Sequence, residues 1–411
     1  MERELCDLTH QSLQPMDIGR LMCLSRIPVI AGDSFELNSS FLFRLNQLRR
    51  PLVLDIKMDV FVFFCPYRYA YPDWVSYIES GTKEAFTFPT ISAGIHTQPW
   101  LCLNTAVYPR HIWADAARIW NYYFRDPSWA EISETSPIVD NASRRYGLKT
   151  AHLKSWGTAQ ALNADLTDSI YNLDSSAPTI SVYDIQDRLN KAKGETFRDF
   201  VSQRYTEILK NMTGVEPSDY SDNVPELVWS ESGWMSGFDI NGTSGADLGA
   251  SVGKAVGQVN LRMPRRLFSE HGTLYVFGLL RMPPVFIEAK QYLDDMNRPF
   301  QHIVPSSANL PPVKLTMEDV FEGGGAASLG YVPSYEWYRD HPSYIHYDMY
   351  GSDTGWQYLP KPASPSATIE VGNYDAMFQT LRNRHAIASC RHGVTAWRPL
   401  PSASGSVFGD L

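Results

Sequence analysis

The chain has 411 residues, 44 % of them hydrophobic and 20 % charged, enough to bury a sizeable core, which excludes a disordered chain or a small staple-dependent scaffold. Its formal charge of −9 excludes a protein that is basic throughout, so any nucleic-acid contact must be local. Apolar runs such as Val60 to Cys65 reach about six residues, far below the ~18–20 that cross a bilayer, and the amino-terminal stretch lacks the continuous apolar segment of a secretory signal. A cytosolic chain with no membrane contact is expected.

In chain order, the first predicted strand is Leu21 to Ile30, where Pro28 requires an edge or a bulge because proline has no N–H for the ladder. Gly32-Asp33-Ser34 then reads as a structural turn, with a side-chain oxygen of Asp33 or Ser34 taking up backbone donors. Leu52, Leu54, Ile56 and Met58 alternate with polar positions and predict a half-buried strand. The alternation is lost from Val60 to Phe64, as happens when both faces are covered. A helix is predicted after Pro109, with Ile112, Ala116, Ile119 and Tyr123 on one face and Pro127 at its end. A second opens at Asp184 and carries Phe197, Val201, Tyr205, Ile208 and Met212 to a cap at Gly214. Further strands are predicted at Leu227 to Ser230, Thr273 to Met282 and Val394 to Leu400. Strands so far apart do not suit a βαβ array, and there is neither a repeat nor a clean linker. The expected architecture is an antiparallel sandwich with very long loops, a single domain over 1–411.

No sequence motif supports catalysis. Gly249 to Gly253 matches G-x-S-x-G around Ser251, but the preceding Asn241 to Gly245 reads as a loop instead of the strand a nucleophile elbow needs. Gly253-Lys254-Ala255 fails as a phosphate loop in spacing and in its missing hydroxyl. Gly323-Gly324-Gly325 reads as a mobile loop after a short helical stretch, and Glu270-His271-Gly272 as a turn before a strand. The adjacent pairs Asp294-Asp295 and Glu318-Asp319 do not face one site. No Cys or His spacing suits zinc, so no metal and no cofactor is predicted, and the five scattered cysteines read as reduced thiols.

One segment departs from the acidic background. Arg382 to Arg398 holds four arginines, His385, His392 and Trp397 without a single carboxylate. A structural face bonded to the rest of the protein is the simpler reading, and phosphate contact with base stacking the sharper one. Arg382, Arg384, Arg391, His392, Trp397 and Arg398 are the DNA-facing candidates on that second reading. Arg49-Arg50 and Arg262, Arg265 and Arg266 pose the same question.

Several long strings resemble the major capsid protein of microviruses, small tailless icosahedral phages with single-stranded DNA. They are IGRLMCLSRIPVIAGDSFEL from Ile18 to Leu37, RYGLKTAHLKS from Arg145 to Ser155, SGFDINGTSGADLG from Ser236 to Gly249, MPRRLFSEHGTLYVFGLLRMPP from Met263 to Pro284, and YDAMFQ from Tyr374 to Gln379. The resemblance implies an all-β protein: an eight-stranded antiparallel jelly roll with long inserted loops containing some helices. It also implies self-assembly in the host bacterial cytoplasm into a T=1 icosahedral shell around a single-stranded DNA genome. Spike, scaffolding, DNA-packing and DNA pilot proteins are the family's partners. The threefold insertion of one subfamily has no counterpart between Ala151 and Val228. Aromatic residues at 13 % suit a protein with many interfaces. The competing expectation is a carbohydrate-binding or carbohydrate-active β-sandwich, since architecture alone does not decide function.

Overall fold

The computed structural model describes residues 3–80, 90–92, 107–125, 131–134, 148–149, 224–241, 251–282, 285–286, 289, 313–332, 338–339, 343, 345, 356–359, 371–379 and 384–399. The predicted helix from Asp184, the pair Asp294-Asp295 and Arg382 lie outside them.

In chain order the elements begin with strands β1 (Glu4–Asp7), β2 (His10–Met16), β3 (Arg20–Val29), β4 (Ser34–Leu45) and β5 (Lys57–Pro66). Helices α1 (Tyr67–Ala70) and α2 (Trp74–Ser80), strands β6 (Thr90–Ser92) and β7 (Val107–Pro109), helix α3 (Arg110–Ile119) and strand β8 (Leu148–Lys149) follow. Then come β9 (Glu226–Trp234), β10 (Ser236–Asn241), β11 (Ser251–Leu267), β12 (Gly272–Arg281) and β13 (Val313–Thr316). Helix α4 (Met317–Val320) and strands β14 (Ser328–Val332), β15 (Ala386–His392) and β16 (Val394–Arg398) complete the order.

Two antiparallel sheets carry the fold. The first runs β1/β2, β15/β16, β4, β11, β10, and the second β8, β3, β12, β5, β9. β1 and β2 pair with β16 and β15 in one continuous direction, so each couple acts as one interrupted strand. Counted that way, the long strands occupy the chain-order positions 1-8-3-6 in one sheet and 2-7-4-5 in the other. That is the double Greek key of a jelly roll.

The sequence of β4 explains why it sits at the centre of the first sheet. Phe35, Leu37, Phe41, Phe43 and Leu45 are buried, whereas Glu36, Asn38 and Arg44 between them face outward. β11 lies beside it with Ala255, Val259, Leu261 and Met263 inward. At Gly257 a Cβ would come within 2.4 Å of Met58 Sδ, so the inward face of β11 must stay small there. The break between β15 and β16 falls at Gly393, where a Cβ would lie 2.3 Å from the Asn38 carbonyl oxygen.

The second sheet is covered on both sides. β12 is buried over its whole length except Arg281, and β5 keeps Val60, Val62, Phe63 and Phe64 inside. Its outer side carries α3, which buries Ile112, Trp113, Ala116, Ala117 and Ile119. The helix was expected to continue with Tyr123 on the buried face. Instead it passes into a π-helical turn, Trp120–Phe124, that leaves Tyr123 37 % exposed and Phe124 8 % exposed. The wider turn delays the face by a residue, and Phe124 packs edge-on to Phe61 and Phe63.

Several strand ends also differ from the sequence reading. The ladder expected from Leu52 begins at Lys57. Pro28 lies in β3 where β8, which pairs with Arg20 and Leu21, no longer reaches, while the register shift of β3 falls nearer Leu24. Gly323 takes a positive φ of 63° in the turn after α4. α4 itself opens with a capping box in which Thr316 and Asp319 exchange hydrogen bonds.

Candidate nucleic-acid interface

The two faces of the first sheet have opposite chemistry. The inner face packs on the core, whereas the outer face is solvated throughout its described residues. Antiparallel pairing sets Gln11, Arg391, Ser40 and Asn260 side by side across β2, β15, β4 and β11. The Gln258 amide donates to Ser40 Oγ and to Asn260 Oδ1, both at 3.0 Å, and so organises this polar row. Arg44, Lys254, Arg262, Arg265 and Arg391 are exposed on the same side. Among the described residues, the carboxylates of this face are Asp7 and Glu36, both toward the β1/β16 end. A positive, amide-rich surface thus stands on a chain of net charge −9.

The carboxyl-terminal candidates divide between this surface and the interior. Arg391 points outward, and the period of two then carries His392 inside, where it is 0 % exposed. His392 stacks on His10 at 4.6 Å, meets Phe41 edge-on and is hydrogen-bonded to Ser12. It is therefore a core residue and no ligand for DNA. Arg384, with a positive φ of 66°, bonds Asp17, which also holds buried Arg20. Burial lowers the Arg20 guanidinium to about 10. Arg398 donates to the Pro28 carbonyl and lies 3.4 Å from Asp33 Oδ2. Both arginines are thus tied into the subunit. Trp397 is half-buried, with the Arg265 guanidinium 4.0 Å over its ring.

At Gly32-Asp33-Ser34 the chain turns from β3 into β4. Gly32 has a φ of 87°, which side chains disfavour. Fully buried Asp33 accepts the Ile30 N–H at 2.8 Å through its carboxylate. Burial raises its pKa, opposed by that hydrogen bond and then by Arg398. The backbone bonds Gly32 N–H to Phe268 O and Phe268 N–H to Asp33 O fasten the turn to the end of β11.

The described residues of the two rejected motifs lie on β11. Ser251 opens β11 opposite Asn241, a hairpin partner in place of the strand-to-helix elbow of a nucleophile. Lys254 sits in the same ladder opposite Phe238 and projects into solvent. Arg44 and Lys254 were missed in the sequence because neither stands in a run of cations along the chain. Pairing of β4 with β11 sets Arg44 opposite Val256, two residues from Lys254. The single readable signal was the alternation Phe41, Phe43, Leu45, which turns Arg44 outward.

A family model described as "Capsid protein (F protein)" matches residues 1–162 and 133–408. The chain is 30 % identical to "Capsid protein F" of Enterobacteria phage phiK, the alignment covering 99 % of this chain and 98 % of that protein. It is 29 % identical to the protein of the same name in Escherichia phage alpha3, again over 99 % and 98 %. With that of Escherichia phage G4 the identity is 28 %, over 98 % and 96 %. A jelly roll with a match that runs the length of both partners leaves one assignment: the chain belongs to the capsid protein F family of microviruses.

Proposed function

We propose that this chain is the major structural protein of a T=1 icosahedral shell, assembled from its own copies in the bacterial cytoplasm around single-stranded DNA, with the outer face of the first sheet turned toward the genome. The carrying observation is the asymmetry of the sandwich. One outer face is covered by α3 and its π turn, while the described residues of the other are half-exposed or exposed, rich in amides, and include Arg44, Lys254, Arg262, Arg265 and Arg391. Phosphates fit that surface without base specificity, and salt weakens such contacts. No specific observation favours the carbohydrate-binding alternative.

The test replaces Arg262 and Arg391 by Gln in the assembling protein. Both are solvent-facing, so shells form, but filled particles lose DNA content or release DNA at lower salt. Unchanged DNA content with an unchanged salt midpoint would overturn the orientation of this sheet.

A further inference from the structure

At the β4–β11–β10 end of the basic face lies a cavity of about 520 Å³, lined by Arg44, Asn46, Gln47, Phe238, Lys254 and Val256 with Leu45 and Ala255. Its size falls in the range of small-ligand pockets, ~300–1,000 Å³. We infer that this cavity is a nucleotide subsite, holding one unit of a single strand with its base against Phe238 and its phosphate between Arg44 and Lys254. The inference rests on the DNA-facing orientation proposed above and adds a defined place where the strand is gripped.

Three features carry it. First, the lining holds two cations and no carboxylate, and among the described residues neither Arg44 nor Lys254 has an ion-pair partner. Second, Phe238 is 46 % exposed on the strand position opposite Lys254, an aromatic ring left in water beside a cation. Such a ring is a stacking platform for any base, and the neighbouring cation meets the phosphate of the same unit. Third, the rim is built in advance. Asn46 N–H donates to the His385 carbonyl, Gln379 N–H donates to the Gln47 carbonyl, and the Asn46 amide is bonded to the Arg384 carbonyl. The loop that closes the cavity is thereby anchored from both sides, which lowers the ordering cost of binding. The Gln47 amide is left to hydrogen-bond a base edge or sugar.

The experiment measures binding of a fluorescent five-nucleotide oligo(dT), and of its abasic sugar-phosphate analogue, to the purified protein across a salt series. The native protein should bind oligo(dT) more tightly than the abasic strand. Phe238→Ala should erase that preference, a roughly 5- to 100-fold loss for oligo(dT) alone, and Phe238→Trp should keep it. Arg44→Gln and Lys254→Gln should weaken both strands and flatten the salt dependence. Because all three side chains are solvent-facing, thermal melting serves as the folding control. Equal binding of the two strands by the native protein would overturn the base-stacking assignment. If the cavity variants bind normally while Arg262→Gln and Arg391→Gln bind weakly, the subsite is wrong and the orientation of the face survives. If no variant weakens binding, both fall.

Discussion

His10 and His392 stack face to face, ring centroids 4.6 Å apart and 20° from parallel, across the first and last long strands of one sheet. His10 bonds Ser25 Oγ at 2.7 Å and the Leu8 carbonyl at 2.9 Å. His392 bonds Ser12, and its Nδ1 finds no partner among the described residues. Burial, then the neighbouring His10, lowers His392 from the ordinary 6.5 to about 4.

Acid lability follows with a definite sign. The unfolded chain takes up a proton at His392 below about 6.5 that the folded chain refuses until about 4, so stability is full above pH 6.5 and declines toward pH 4. The group's share is on the order of 3 kcal/mol. His111 and His271 are also lowered to about 4 by burial and add to the decline. The melting temperature should therefore drop between pH 6.5 and 4, and drop less steeply in His392→Gln. Parallel pH profiles of the two proteins would remove His392 from this account.

An opposite dependence comes from Asp115 on the buried face of α3. It is fully buried, accepts a hydrogen bond at 2.9 Å from the Tyr275 hydroxyl, and has no partner for Oδ1 among the described residues. Burial raises its pKa from 3.8 to about 8, against the lowering pull of Tyr275 and Arg118. Here the folded chain keeps a proton that the unfolded chain gives up, so stability falls as pH climbs from about 4 to about 8 and then levels. Asp115→Asn, neutral at every pH, should flatten this slope and show its largest relative gain near pH 8 in denaturant titrations. Equal slopes for both proteins from pH 6 to 8 would count against a protonated Asp115.

The break at Gly393 is predicted to tolerate no side chain. Its Cβ would press on the backbone carbonyl oxygen of Asn38, the residue whose N–H donates to the Gly393 carbonyl. Gly393→Ala should cost roughly 1–3 kcal/mol or more and cut the yield of folded protein. Gly325→Ala, where a Cβ meets nothing within 4 Å, is the control and should fold with near-native yield.

Asp33→Ala should lower thermal stability and particle yield, because the Ile30 N–H loses its acceptor and Arg398 its nearby carboxylate. The cap alone contributes about 0.5–2 kcal/mol. Asp33→Asn keeps an oxygen for Ile30 and should lose less. Native melting of Asp33→Ala would show the carboxylate to be dispensable.

Long apolar stretches made some of this fold readable. β12 and the core of β5 stand out because covering on both faces needs continuous hydrophobic residues. β11 hides for the reason that makes it work: its inward positions include Gly253, Ala255 and Gly257, small enough to pass under Arg50, Pro51 and Met58 but invisible as a hydrophobic alternation. The basic face was legible only at Arg391, Arg262 and Arg265. Arg384 and Arg398 share the same charge in the same segment, yet meet Asp17 and Asp33, acids more than 360 residues away in the chain. Charge in a window of sequence says nothing of which partners folding will bring.

The last long strand of the sandwich in chain order is inserted between two early ones. β15 pairs on one side with β2 and on the other with β4, joining Cys390 to both Ser12 and Phe41. Until about residue 392 has emerged, β2 and β4 are two open edges with unpaired backbone, the form of a sheet that recruits foreign strands. Contacts across so much chain form slowly. A nascent subunit before that point therefore carries neither a continuous basic face nor a closed sandwich, and emergence of β15 and β16 is the event that renders it competent to assemble. Chains cut short before Ala386 should accumulate as aggregates and stay out of shells.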